Sequence, residues 1–180
     1  MYGFKFGTKH SSEFGIIMKS VNRSVLPAKR SRNIEIPGRH GKYDFGGNTY
    51  DVRSIEIEIA VLEPTPNELR KKIRKIAQWL SQKGRLVFDD EPDKYYIAQL
   101  YGSLKLEQFA TSGKIPLVFE CEPFALADTV EQLFSITDNK SKQTFIYNGT
   151  QETCCRVILT NKGNNSITGL NLLIGGSDNE

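Results

Sequence analysis

The sequence is poor in the residues and runs that mark several classes of protein. Among its 180 residues are three cysteines and two histidines, too few for a disulfide framework or a structural zinc site. No apolar run reaches the roughly 18 residues of a membrane span, and the first residues lack the long apolar core of a signal peptide. We therefore expect reduced thiols, no membrane association, and assembly in a cytoplasm.

The sequence also lacks a large excess of charge of one sign, and it lacks the common catalytic motifs. The 24 basic and 21 acidic residues leave a net charge of +3, whereas a nucleic-acid binder is usually more one-sided. There is no P-loop, no G-x-S-x-G and no G-x-G-x-x-G motif. His10 and His40 lie in turn-rich regions, and no base is evident that would activate a cysteine. We expect a protein that is not an enzyme, with no cofactor, no metal and no specific nucleic-acid partner.

The clearest unit of the sequence, over residues 63–101, is a helix followed by two strands. The helix begins with a capping box and a proline at residues 65–68, and Gly84 is expected to end it in a left-handed conformation. Strands over residues 85–89 and 94–106 follow, joined by an acidic turn. The apolar stripe of the helix consists of Leu69, Ile73, Ile76, Ala77 and Leu80. Further residues expected to pack between the helix and the hairpin are Trp79, Leu86, Phe88, Tyr95, Tyr96 and Ile97.

Two more stretches alternate between apolar and polar residues, which is the pattern of a strand with one buried face. In residues 50–62, Glu56 and Glu58 fall on the face opposite the core, which is either solvated or directed at a partner. Residues 114–122 repeat the pattern. The residues predicted to point inward are Ile55, Ile57, Ile59 and Val61 in the first stretch, and Ile115, Leu117, Phe119 and Cys121 in the second.

Basic residues concentrate in two places. Residues 28–36 are strand-like and lead into a basic loop flanked by permissive glycines, which can reach a neighbouring chain. Residues 70–75 form a basic run on the helix face opposite the apolar stripe; a solvated face, an acidic protein partner and a phosphate backbone all fit this run. Candidate interface residues are Arg30, Arg32, Pro37, Gly38, Arg39 and His40, which would meet Glu56, Glu58 and the acidic turn of another copy.

Four stretches, taken in order and spacing, resemble one family. They are Phe4-x-Phe6 with Phe14-Gly15-Ile16, then Ile34-Glu35-Ile36-Pro37-Gly38-Arg39-x-Gly41, then Trp79-Leu80, and finally Phe88-Asp89-Asp90-x-Pro92-Asp93-x-Tyr95-Tyr96. Together they are similar to the distal tail proteins of siphophages, the bacteriophages with long non-contractile tails, including prophage copies. The resemblance covers residues 1–134.

The resemblance implies a β-rich α+β fold and a structural role. Residues 1–134 would be a β-sandwich-like ring-forming domain with one amphipathic helix, residues 135–142 a linker, and residues 143–180 the start of a galectin-like β-sandwich, or a reduced one. Members of this family form a homohexameric ring at the virion tail tip. The ring joins the tail tube protein to the tail-tip or baseplate proteins and, in many phages, to receptor-binding proteins.

A second functional class is a carbohydrate-binding accessory module, which the galectin-like resemblance implies. A lectin site needs an aromatic platform, and beyond residue 134 the chain offers only Phe145 and Tyr147. A hexamer favours the ring protein, and a monomer that binds glycans favours the module.

Short strands are expected over residues 144–147, 155–160 and 167–174, with a turn at 161–165.

Overall fold

A computed structural model describes residues 3–45, 47, 49–105, 107–109, 111–128, 133–136, 144, 147, 149–153 and 156–169. The chain divides into two units, Met1–Glu131 and Gln132–Glu180. Within the described residues the fold is mostly β-sheet with one α-helix, so the predicted β-rich α+β class is confirmed. No helix in this described part is long and apolar enough to cross a membrane.

The first unit contains eleven strands, a 3-10 helix at Ser11–Phe14 and one α-helix, α1 (Pro66–Trp79), among its described residues. The strands are β1 (Phe4–Phe6), β2 (Lys9–His10), β3 (Ile16–Arg23), β4 (Asn33–Glu35), β5 (Lys42–Asp44), β6 (Arg53–Leu62), β7 (Gly84–Phe88), β8 (Glu91–Leu100), β9 (Glu107–Phe109), β10 (Ser112–Cys121) and β11 (Leu126–Ala127).

Nine of these strands form one antiparallel sheet in the order β2-β1-β7-β8-β10-β6-β3, with β9 beside β10 and β11 beside β8. Its centre is the long β6–β10 pair, which runs without a register shift. β10 tolerates Pro116 because residues 112–114 pair with β9 and residues 119–121 with β8. The proline lies in the gap between these partners, so its missing N–H interrupts no ladder there.

The core lies between the inner face of this sheet and α1. Alternate residues of β6 and β10 point into it, as the alternating pattern predicts. All eight predicted inward residues of the two strands are at most 1 % exposed. The largest fully buried side chains are Phe4, Phe88, Phe119, Ile55, Ile57, Ile59, Leu69, Ile76, Leu80, Leu86, Ile115 and Leu117.

The helix begins at the predicted cap, where the Thr65 hydroxyl accepts from the backbone N–H of Glu68 at 3.3 Å. Its apolar stripe faces the core, although Ile73 and Ala77 are only half-buried. At its end, the Trp79 indole stacks on aromatic rings from the first residues of the chain. Its N–H donates to a backbone carbonyl of β1 at 3.0 Å, which ties the helix to that strand.

Two local predictions are wrong. The helix does not end on a left-handed glycine, because Leu80 is its C-cap, with φ −87°. Gly84 instead begins β7, where a Cβ would lie 3.2 Å from the Phe6 ring, so close packing explains the glycine. Tyr95 and Ile97 do not point into the core. The turn before β8 is shorter than predicted, and strand alternation directs Tyr96 and Ala98 inward instead.

The second unit shows no strand among its described residues. Residues 156–160, predicted as a strand, are exposed and unpaired, and a short strand without a partner or a covered apolar face is not stable in water. The turn at 161–165 is present, with the Asn161 side chain accepting from the Gly163 N–H at 2.9 Å. Most of residues 144–147 and 167–174 lie outside the described residues, and the galectin-like identity of residues 143–180 stays a prediction.

Candidate interaction surface

A long hairpin of residues 28–51, here called the arm, connects β3 to β6. It contains a separate two-stranded sheet, β4–β5, and an isolated bridge between Lys29 and Tyr50. Only residues 33–35 of the predicted strand 28–36 are paired as a strand. Three backbone hydrogen bonds extend the pairing toward the base: Arg30 N–H to Thr49 O, Asp51 N–H to Ala28 O, and Phe45 N–H to Arg32 O.

One face of the arm is apolar and uncovered. Alternation places Ile34 and Ile36 on it, and the β4–β5 register brings Tyr43 beside Ile34, with Phe45 two residues further on. The Tyr43 and Phe45 rings are 4.5 Å apart, and all four side chains are between 43 % and 59 % exposed. These four residues are called the apolar face of the arm. Exposed apolar patches of this kind typically mark interaction sites.

The other face of the arm is polar. Lys42 and Glu35 form an ion pair across the two strands at 3.2 Å, and Asn33 is exposed. A two-stranded hairpin is marginally stable in water unless its apolar face packs on something. The apolar face of the arm is therefore the one that needs a partner.

The predicted basic residues of the arm are all exposed, but part of their charge is balanced within the chain. Arg30 lies 3.4 Å from the Asp51 carboxylate. The pKa of Asp51 is lowered, first by the backbone N–H of Val52 and then by the Arg30 hydrogen bond. At the tip, the Arg39 guanidinium lies 5.1 Å from the centre of the Tyr43 ring. Arg32 also makes an interaction within the chain.

Pro37, Gly38 and His40 lie in the tip, as the sequence predicts. The tip turns with an Arg39 N–H bond to Ile36 O at 3.1 Å. Gly38 has φ +82°, which strongly favours glycine, and nothing lies within 4 Å of a Cβ built on it. The tip is therefore shaped by its own backbone and exposed on its outside.

A buried arginine anchors the base of the arm. Arg53, the first residue of β6, is 8 % exposed and donates to the Tyr96 hydroxyl at 3.3 Å and to Val25 O at 3.4 Å. Its guanidinium also lies over the Tyr96 ring. No carboxylate pairs with it in the described part of the chain. Arg53 hydrogen-bonds the segment before the arm, at Val25, and directly follows the end of the arm in sequence. It therefore holds both ends of the hairpin in place.

Glu56 and Glu58 do not lie on the arm. They lie with Glu120 on the outer face of the sheet, which is the side of β6 and β10 that points away from the core. Glu58 pairs with Lys114 of β10 at 3.6 Å. Glu56 stands beside Asn22 in the β3–β6 register. The structure thus separates the predicted acidic strand residues from the predicted basic loop.

The acidic turn is used inside the chain. Asp89 accepts from the Gly3 N–H at 2.7 Å and lies 3.0 Å from His10 Nε2. Arg23, at the end of β3, pairs with Asp90 and lies 3.6 Å from Glu91. These bonds tie the β7–β8 turn to two distant strands, so the turn does not present the free acidic patch that the sequence predicted. No cluster of metal ligands occurs among the described residues.

Tyr43 and Phe45 are candidate interface residues that the sequence alone did not predict. Both alternate with polar residues along the chain. Assigning them to one face with Ile34, however, requires knowledge of the β4–β5 register. Residues 37–45, which hold both of them and the basic loop, contain two glycines and no long apolar run, so this stretch resembles an ordinary hairpin tip.

Comparison with known proteins places residues 9–121 in a family model described as phage tail protein RIFT-related domain. The crystal structure of SPP1 Dit (gp 19.1), described as a paradigm of the hub adsorption apparatus in Gram-positive infecting phages, has a similar fold. The TM-score is 0.62 and the identity 17 %, over 71 % of this chain and 52 % of that chain. This chain therefore spans about half the length of SPP1 Dit. No curated protein sequence matches it.

Proposed function

Since this chain belongs to the family of phage tail proteins with a RIFT-related domain, and shares the fold of a phage hub protein, we propose that it closes into a homohexameric ring at the tail tip. The ring would join the tail tube protein to the tail-tip or baseplate protein and to receptor-binding proteins. This role is structural, and it places the protein in the virion after assembly in the host cytoplasm.

The observation that carries this proposal is the apolar face of the arm. A ring is built from heterologous contacts, in which one patch of each copy meets a different patch of the next. An arm that projects from the core with one uncovered apolar side suits such a contact. The neighbouring copy would supply the cover that the described residues do not give the arm.

The free energy of burying the apolar residues exceeds that of the exposed ion pairs, so apolar burial is the main source of affinity. Each of the four side chains of the apolar face keeps about half its surface to bury. Covering them would contribute about 1 kcal/mol each, or about 4 kcal/mol per contact. An exposed ion pair contributes about 0–1 kcal/mol. Arg39 and His40 at the tip would then orient the arm rather than hold it.

The chemistry of the one described cysteine agrees with a structural role. Burial raises the pKa of the Cys121 thiol to about 12, so the thiol is protonated at neutral pH. A nucleophilic cysteine needs the opposite shift.

The experiment that tests the ring is a mass measurement by light scattering over a wide concentration range, with averaging of electron micrographs. The double variant Ile34→Ser/Phe45→Ser should raise the concentration at half-assembly by about 30-fold, because it removes about half of the arm's contribution. Leu126→Ser is the matched control, since Leu126 is an exposed apolar residue of β11 and lies outside the arm.

Four results bear on the proposal and on its alternative. Six-fold particles of the unaltered protein that persist in Leu126→Ser and weaken in the arm variant support it. A monomer at every concentration, alone and with its tail partners, refutes the ring. Rings that survive the arm variant unchanged would refute the arm as the contact. A monomer that binds glycans would instead support the carbohydrate-binding module.

A further inference from the structure

The net positive charge of the chain lies on one helix. α1 carries five basic residues and Glu68, a net charge of +4, whereas the whole chain carries +3, so everything outside α1 sums to −1. Lys72 is paired with Glu63 beside the helix start. The other four cations are exposed and have no acidic partner among the described residues; they are Arg70, Lys71, Arg74 and Lys75, called here the basic face of α1.

The stability of the helix does not explain this charge. Arg70 and Arg74 are four residues apart, as are Lys71 and Lys75, and like charges at this spacing repel each other on a helix. Cations stabilise a helix in its last turn, yet the last turn of α1 contains none. The basic face therefore costs the isolated helix a little free energy, which points to a use outside the helix.

A complementary acidic surface lies on the opposite side of the same unit. α1 packs on the inner face of the sheet through Leu69, Ile76 and Leu80, so the outer face points away from the helix. Of its three glutamates, Glu58 pairs with Lys114, while Glu56 and Glu120 have no cation beside them among the described residues. The sheet and its core separate the two charged surfaces, so they cannot neutralise each other within one copy.

We propose that the basic face of α1 binds the outer face of the sheet of a second copy, as a contact between successive subunits. This inference rests on the proposed ring and adds a second complementary pair of patches to it. Opposed patches of opposite charge give a head-to-tail contact, which is the heterologous kind that a ring needs. The positive partner of Glu56 is then the helix, and not Arg30 or Arg32 as the sequence alone indicated.

The test is a double charge reversal. One variant, Lys71→Glu/Lys75→Glu, reverses charge on the basic face of α1. A second, Glu56→Lys/Glu120→Lys, reverses charge on the outer face of the sheet. A third combines all four changes. The control is Lys5→Glu/Lys162→Glu, which changes the net charge as much as the helix variant does but at exposed residues elsewhere. Light scattering at about 0.05 M and 0.5 M salt gives the concentration at half-assembly for each protein, and Trp79 fluorescence reports folding.

Each single-surface reversal should raise the concentration at half-assembly about tenfold or more at low salt, because like charges would then face each other. The combined variant should return to within about threefold of the unaltered protein, and the control should stay unchanged. High salt should reduce all these differences.

The inference fails if the helix variant assembles normally, or if the combined variant is no better than the worse reversal. It also fails if the helix variant keeps its rings and loses only binding to another tail protein or to nucleic acid. An unaltered protein that never assembles refutes the ring itself, and with it this contact. If a reversal disturbs folding, Lys71→Gln/Lys75→Gln and Glu56→Gln/Glu120→Gln should each weaken assembly in the same direction.

Discussion

Two isoleucines on the same helix allow the packing of α1 to be measured against an internal control. Ile76 is fully buried in the core, while Ile73, three residues earlier, is only half-buried. Replacing either by alanine removes the same three carbon atoms and brings the same small gain in helix propensity. Any difference between the two variants in the free energy of unfolding therefore reports burial alone.

The expected magnitudes follow from that geometry. Three buried carbon groups at about 0.8 kcal/mol each give about 2.4 kcal/mol for Ile76→Ala, and the cavity left behind brings the total to about 3–4 kcal/mol. Ile73→Ala should cost less, about 1–2 kcal/mol, because part of its surface is already in water. With a total stability of about 5–15 kcal/mol, the first variant should fold but unfold at clearly lower urea concentration.

The assay is urea unfolding followed by the fluorescence of Trp79, the single tryptophan of the chain. Its ring centre lies 4.5 Å from that of Phe14 and 5.7 Å from that of Phe4, so its environment changes when the helix leaves the sheet. Equal costs for the two variants, or a cost below about 1 kcal/mol for Ile76→Ala, would show that the helix is not packed as described.

Three further predictions concern single residues. Burial raises the pKa of Cys121 from 9.0 to about 12, so its contribution to stability should be complete below pH 9 and lost as the pH rises from 9 to about 12; alkaline urea titrations of a variant with the other two cysteines replaced by serine would measure this. Gly84→Ala should cost about 1–3 kcal/mol, since its Cβ would press on the Phe6 ring. The lowered pKa of Asp51 means that the base of the arm is held above pH 3.8 and loosened as the pH falls through the lower folded value, which the Val52 amide signal should follow by NMR.

Each of these has a clear contrary result. Rapid reaction of Cys121 with a thiol reagent in the folded protein at pH 8 would contradict its burial. A Gly84→Ala variant as stable as Gly47→Ala, where nothing lies within 4 Å, would contradict the contact with Phe6. A Val52 amide midpoint at or above 3.8 would contradict the hydrogen bond to Asp51.

The parts of the fold that could be predicted are those whose signal is local. The cap at Thr65, the stripe of α1 and the alternation in β6 and β10 each lie within about a dozen residues, and the structure confirms them. The phage tail family was also predicted correctly, because short motifs keep their order and spacing along the chain.

The predictions that were wrong or missing concern residues whose partners are distant in sequence. The acidic turn looked like a free surface patch, but Arg23 and His10 reach it from strands far away in sequence. Gly84 looked like a helix cap, but the Phe6 ring explains it. The apolar face of the arm needed the β4–β5 register, and no short window of sequence contains that register.

The placement of β1 has a consequence for synthesis. β1 lies between β2 and β7, and the bond from the Gly3 N–H to Asp89 spans 86 residues. At about 5–20 residues per second on a ribosome, the first strand waits roughly 4–17 s for its partner to be made. Throughout that time β1 lacks β7 and can pair only with the two-residue strand β2. A chaperone that binds short aromatic segments would therefore meet this protein at β1, before β7 exists.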